Sequence, residues 1–438
     1  ECMKHSIKNI WAKLAMTYTI LVRTFTVCII PLFALPTNSL RNNIKQSAEQ
    51  IEKEGLWFQP MGFYLFQIDN MTDCLMMNIN VCADSDNPVE AAMNAEHAQP
   101  YKNGDTRPYK NIANTTLNVA THGRDKDTQI SRYARYWHGY QVVVRPLLCF
   151  FNYNQIRVLN YIVMLVLLSV TGFLLYKMLN LGYALTFLAS LVITNAMIVP
   201  LAIQFSTCFH IAMIGMIIIL ARRKLADDRD KAIILFFSIG AFTSYMDFLT
   251  TPIITLGFPL VVLMALSKNN GKIKAVITQS VAWGAGYTSI WVSKWIIGSI
   301  LTGENIFESA LGCAQQRVGD TIVFGGKEMP ISNFFDIIFT KVSSIISPVL
   351  LGGIILIIVA LAAFYFYKNR RQLKKEGWIM LIAAMPVVWF IVLKNHSLQH
   401  IFFTWRDFIL TLWCLLIFVY HVNYKQYNHE NSRSNTML

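Results

Sequence analysis

Long apolar runs alternate with short polar stretches along the chain, and each run is near the ~20 residues a helix needs to cross a bilayer. The first lies at about 10–35, behind Lys4, Lys8 and Lys13. Others lie at about 157–177, 181–203 and 206–221, then from 232 into the segment Thr243–Pro252 and from there back to Lys268. The last four are at about 275–300, 338–367, 377–393 and from Asp407 to about 424. Lys177, the run Ala221–Lys231, the trio Lys268, Lys272 and Lys274, and the run Lys368–Lys375 all fall between runs on one side of this alternation. Lysine and arginine collect on the cytoplasmic side of membrane proteins. The pattern predicts an all-α polytopic membrane protein of about ten transmembrane helices, with both termini in the cytoplasm.

The division that follows has four parts. Residues 1–36 hold the cytoplasmic N-terminus and first transmembrane helix, and 37–150 form a large extracytoplasmic loop. Residues 151–424 are the remaining bundle of about nine helices, with an outer loop at 302–336 that carries Glu304, Glu308 and Arg317; 425–438 are a cytoplasmic tail. In the large loop, Leu40, Ile44, Ala48 and Ile51 recur at helical spacing before Gly55, which predicts an amphipathic helix lying on the membrane surface. Residues 84–131 are polar, without a clear period, and read as loop. Arg23, inside the first run, faces the bundle or snorkels.

Composition narrows the class. At 54% hydrophobic and 14% charged residues, the chain is too apolar for a soluble protein of 438 residues. The net charge of +13 is dispersed in short clusters, so no basic surface is long enough to track a nucleic-acid backbone. Of the eight cysteines, Cys28, Cys208 and Cys414 lie in apolar spans as small hydrophobes, whereas Cys74, Cys82 and Cys313 face outward, where a disulfide can form. The first apolar run is long and lacks a small-residue cleavage site, so it reads as an anchor rather than a cleavable signal peptide. Gly-rich phosphate loops, nucleophile elbows and kinase signatures are absent, which argues against ATP-driven and serine-hydrolase chemistry.

The candidate chemistry lies in four polar segments on the predicted outer side. Asp69 and Asp73 are four residues apart, which stacks both carboxylates on one face of a helix. Asp73 is expected nearer a cavity as the base, and Asp69 nearer its entrance, as a helix N-cap or metal ligand. Arg135, Trp137 and His138 share one short run, read either as an aromatic-belt anchor or as an anion site beside a sugar platform. Asp247 sits in a tight turn at membrane depth, where an ionisable group is functional unless it caps a helix. His396 and His400 precede Arg406, and Lys294 lies in the outer part of its span. A zincin site needs Glu directly after its first His, and here that residue is Ser397. No metal ligand set is assigned, and a divalent cofactor is left open.

This layout resembles the C-type glycosyltransferase superfamily of membrane enzymes, which use polyprenyl-phosphate-linked sugars and carry acids in the first large outer loop. More narrowly, Asp69-Asn-Met-Thr-Asp73, Tyr133-Ala-Arg-Tyr-Trp-His-Gly139, Asp247-Phe-Leu-Thr-Thr-Pro252 and Asn395-His-Ser-Leu-Gln-His400 look like segments of bacterial membrane proteins of this kind. The resemblance implies a plasma-membrane enzyme with an outward-facing site and an Asp general base. It would move a sugar from a polyprenyl-phosphate donor to a cell-envelope glycan or lipid acceptor. The acids here are separated by Asn-Met-Thr, whereas several branches have them adjacent. Inverting transfer also needs cations for the departing phosphate, for which Arg135, Lys294 and Arg406 are candidates, with Asp247, Trp137, His138, His396 and His400 left to bind the sugar. Two other classes fit a polytopic basic protein: a polysaccharide polymerase or ligase, and a lipid-linked oligosaccharide transporter. The absence of half-to-half similarity weighs against the transporter.

Overall fold

The computed structural model describes residues 2–60, 66–99, 112–124, 128–268, 271–319, 321–324, 327–330 and 370–434. The predicted span at 338–367 and parts of both predicted outer loops lie outside them. Most described residues are helical, and strands occur as two short antiparallel pairs, Glu96–Ala98 with Ile130–Arg132 and Thr321–Phe324 with Lys327–Pro330.

Among the described residues, four helical runs are long and apolar enough to cross a membrane: Asn9–Phe33, Tyr153–Met178, Ile203–Ala221 and Ile401–His421. The first belongs to α1 (Cys2–Phe33), the second is α7 (Tyr153–Met178) and the third α9 (Ile203–Ala221). On α7, Val158, Ile162, Val166 and Phe173 stay more than half exposed, as apolar residues facing lipid would. This is the pattern of a helical membrane protein. Three further apolar helices are shorter: Leu181–Ile193 (α8), Ile253–Leu266 (α11) and the run Glu376–Val392.

The predicted span at 181–203 is broken. α8 ends at Ile193, Asn195 takes a left-handed φ of 51°, and a 3-10 turn at Ala196–Leu201 precedes α9. Asparagine tolerates that conformation where the flanking branched residues do not, and an average over apolar residues cannot register one such position. α10 (Arg229–Met246) and α12 (Lys272–Thr302) pack backbone to backbone. A Cβ on Gly240 would lie 2.0 Å from the Trp283 carbonyl oxygen, and one on Gly286 would lie 2.0 Å from that of Phe237. Only glycine permits this approach.

Between α1 and α7 the chain folds into a second, smaller core. It holds α2 (Asn38–Glu54), α3 (Asn70–Cys82), α4 (Pro88–Asn94), α5 (Ile112–His122) and α6 (Gln141–Leu148). The helix expected at 38–55 forms and stops at Gly55, whose φ is 88°. Its placement on the membrane surface is corrected: Leu40, Ile44, Ala48 and Ile51 are each 0% exposed, covered by protein rather than lipid. The reading of 84–131 as loop is corrected too. α5 there buries Ile112, Ala113, Thr116, Val119 and Ala120 on one helical stripe. Alternating small polar residues dilute that period in the sequence.

Candidate functional site

Five segments far apart in the chain meet at one end of the bundle, around a cavity of about 260 Å³. α3 contributes Met71, Thr72 and Leu75, and the stretch before α6 contributes Tyr133 and Arg135. The turn joining α10 to α11 contributes Phe248 and Thr250. Helix α13 (Ile306–Val318) supplies Cys313, Gln316 and Arg317. The short helix Lys394–Gln399 and the turn after it supply Asn395, His396, Gln399, His400 and Phe403. No aspartate or glutamate is among these lining residues.

Two guanidinium groups face this space. Arg317 donates to His396 Nδ1 at 2.5 Å, to the Tyr136 hydroxyl at 2.7 Å and to Cys313 Sγ at 3.3 Å. Arg135 lies over the Tyr133 ring at 4.3 Å, while its carbonyl accepts from the indoles of Trp291 and Trp295, both at 3.0 Å. Neither arginine forms an ion pair among the described residues. Two cations sharing one small cavity without an acid make an anion site, and their planar forks suit phosphate oxygens.

His396 sets the position of Arg317. Its Nε2–H donates to the Leu249 carbonyl at 2.8 Å, so Nδ1 carries the lone pair that accepts from Arg317. Burial, then Arg317 and His400, hold its pKa well below the usual histidine range, so the ring stays neutral. Leu249 offers that carbonyl from a left-handed φ of 71°, a conformation costing on the order of 1–3 kcal/mol for a side chain of this kind. Asp247 holds the turn by accepting from the Thr250 amide at 2.9 Å and the Thr250 hydroxyl at 2.5 Å.

Asp69 makes the same arrangement on the facing wall. It is the N-cap of α3, accepting from the Thr72 amide at 2.9 Å and, through its other oxygen, from the Thr72 hydroxyl. The motif Asp-x-x-Thr thus occurs twice at this cavity, each time with the threonine lining it and the acid directly behind. Burial raises the Asp69 pKa to about 7.

Asp73 points elsewhere. Its carboxylate accepts from the amides of Ile203 at 2.8 Å and Gln204 at 3.1 Å, and from the Tyr153 hydroxyl. α9 has Ala202 at its own N-cap position, so Asp73 supplies the cap from a distant helix. This overturns the expectation that Asp73 lies nearer the cavity than Asp69: the N-cap sits one residue outside the helix, and the next turn aims at α9. We expect Asp73→Asn to lower stability by about 3 kcal/mol, because its amide cannot accept from all three donors. Thermal unfolding of the purified protein in detergent reads this directly.

The remaining sequence candidates divide. His400 lines the cavity, its ring 4.7 Å from that of His396. Trp137 is wholly buried and donates to the Ile290 carbonyl at 2.7 Å. His138 is buried between the Tyr140 hydroxyl at 3.0 Å and the Tyr133 carbonyl at 2.8 Å, and burial drives its pKa to about 3. Lys294 donates to the Met93 carbonyl at 2.7 Å, away from the cavity. Arg406 donates to the Phe402 carbonyl at 2.9 Å beside the rings of Phe205 and Trp405, and it does not line the cavity either. Sequence reasoning missed Arg317, Thr72 and Thr250 as site residues. The repeated Asp-x-x-Thr was the available signal for the threonines; Arg317 had none beyond its charge.

Cys28, Cys74, Cys82, Cys149, Cys208, Cys313 and Cys414 are free thiols, and no group of three or more His, Cys, Asp or Glu among the described residues is placed to hold a metal ion. No family model matches the chain, and neither a curated protein nor a solved structure does.

Proposed function

We propose that this protein is an inverting membrane glycosyltransferase that takes a polyprenyl-phosphate-linked sugar and passes it to a cell-envelope glycan or lipid acceptor. The observation that carries the reading is the pair Arg135 and Arg317, two cations in one cavity of about 260 Å³ with no acid partner among the described residues. A departing lipid phosphate is the anion that such a cavity beside membrane-length helices would serve. Tyr133, Phe248 and Phe403 give apolar ring faces for a sugar, and Gln316, Asn395 and Gln399 give amides for its hydroxyls.

In this mechanism the acceptor oxygen bonds to the anomeric carbon as the carbon–oxygen bond to phosphate breaks. The electron pair leaves with the phosphate, whose charge Arg135 and Arg317 stabilise. The acceptor proton passes to Thr72 Oγ1 as the Thr72 hydroxyl gives its own to Asp69, the carboxylate it already touches. Asp73 and Asp247 hold the scaffold, and His396 orients Arg317. With the N-terminal lysines in the cytoplasm, a bundle of about ten spans puts the cavity on the outer face, where a lipid-linked donor replaces the missing nucleotide sugars.

Sidedness has its own test. Asn118 is exposed on α5, so an Asn118→Cys protein in intact cells should react with a membrane-impermeant maleimide well above the wild-type background. Reaction only after permeabilisation would invert the topology and remove the case for a lipid-linked donor.

A further inference from the structure

A second cavity, of about 250 Å³, opens at the other end of α10, where the chain passes from α9 into α10 and from α11 into α12. α10 has 18 residues, which sets the two cavities about 27 Å apart along the bundle. Arg229, Lys272 and Lys274 line this one with one acid, Asp227, and the Lys272 ammonium also lies 5.2 Å over the Trp378 ring. Lys272 and Lys274 lie in the first turn of α12, which contains no acidic residue, so two ammonium groups crowd the positive end of a 31-residue helix. Five residues beyond Lys274, about 7.5 Å further along the helix, Gln279 also lines the cavity. It is 3% exposed, and its Oε1 has no hydrogen-bond partner among the described residues.

We infer that this cavity binds the headgroup of an anionic phospholipid that carries a hydroxyl, with the phosphate held by Arg229, Lys272 and Lys274 and the hydroxyl donated to Gln279. The two halves of the argument are independent. Arg229 and Lys274 against Asp227 alone leave a positive balance that calls for a phosphate, and a buried acceptor with no partner among the described residues calls for a donor that ionised phosphate lacks. A headgroup with both groups meets both demands. The lipid source is favoured over free phosphate by the outer face of α12, where Ile273, Ile277 and Val281 are 52%, 54% and 66% exposed. Their four-residue spacing makes an apolar stripe running from the cavity mouth down the helix, a path for acyl chains. Basic pockets between membrane helices bind anionic headgroups in this way. The inference does not rest on the glycosyltransferase reading.

The test uses the full chain purified in maltoside micelles, with thermal unfolding followed while lipid is added. Phosphatidylglycerol should raise the midpoint, whereas phosphatidylcholine and inorganic phosphate at matched concentration should not. The double variant Arg229→Gln/Lys274→Gln should need on the order of 10-fold more phosphatidylglycerol for the same rise. Lys274→Arg, which keeps the charge, should respond as wild type and so controls for folding. Gln279→Leu should respond equally to phosphatidylglycerol and phosphatidic acid, having lost the hydroxyl contact. An equal rise with phosphatidylcholine or with inorganic phosphate overturns the proposal, as does a double variant with an unchanged response.

Discussion

Asp69→Asn should leave the protein folded and lower sugar transfer by about 10²- to 10⁴-fold, the usual cost of losing a general base. Asparagine is as good an N-cap as aspartate, so its oxygen can still accept from the Thr72 amide and keep α3 in place. Only basicity is removed. The pH profile gives a second readout. The base works deprotonated, so kcat/KM should rise with pH and level off above about 7, following the raised Asp69 pKa. A carboxyl raised on folding favours the folded state at low pH, so its contribution to stability fades between 3.8 and about 7. Activity and this part of stability should therefore move in opposite directions through that window. A wild-type rate in Asp69→Asn, with an unchanged profile, would remove Asp69 from the chemistry.

The double variant Arg135→Ala/Arg317→Ala should lose nearly all use of a phosphate-linked donor while unfolding at close to the wild-type temperature. Each charge-assisted contact to phosphate is worth about 1.5–3 kcal/mol, and together they correspond to a loss of at least about 10²-fold. Stability should fall only modestly, because neither arginine balances a carboxylate among the described residues and water entering the cavity can replace Arg317 at His396 and Tyr136. Arg317→Lys alone should not restore Arg317→Ala. An ammonium cannot reproduce a planar fork that reaches His396, Tyr136 and phosphate together. Reduced stability with normal turnover would make both arginines structural.

Local signals in the sequence carried the helices with their own punctuation. The helix at Asn38–Glu54 is one case, because Leu40, Ile44, Ala48 and Ile51 repeat on one face and Gly55 ends it. What covers that face was not legible, since α3 and α5 reach it only through tertiary folding. α9 is the opposite case. Its start at Ile203 is fixed by a carboxylate 130 residues earlier, and no window around residue 203 contains that information. Apolar length alone also could not separate a spanning helix from α8, whose interruption turns on the backbone of Asn195.

The candidate site shows the same division. Residues 69–73, 133–139, 247–252 and 395–400 stand out in the sequence as polar segments beside apolar runs, and members of all four line one cavity. Within them, the chemistry of each side chain did not reveal its direction. Trp137, His138 and Lys294 are each turned to backbone carbonyls. Arg317 completes the cavity from a segment whose only sequence signal is its charges.

Equilibrium binding of polyprenyl monophosphate to the purified protein bears most directly on the central claim. It is the product released whatever the sugar or acceptor, so neither needs to be known. With a radiolabelled lipid, we predict saturable binding to one site in the wild-type protein, weakened about 10²-fold or more in Arg135→Ala/Arg317→Ala. No saturable binding by the wild type, or equal affinity in the double variant, would contradict the account.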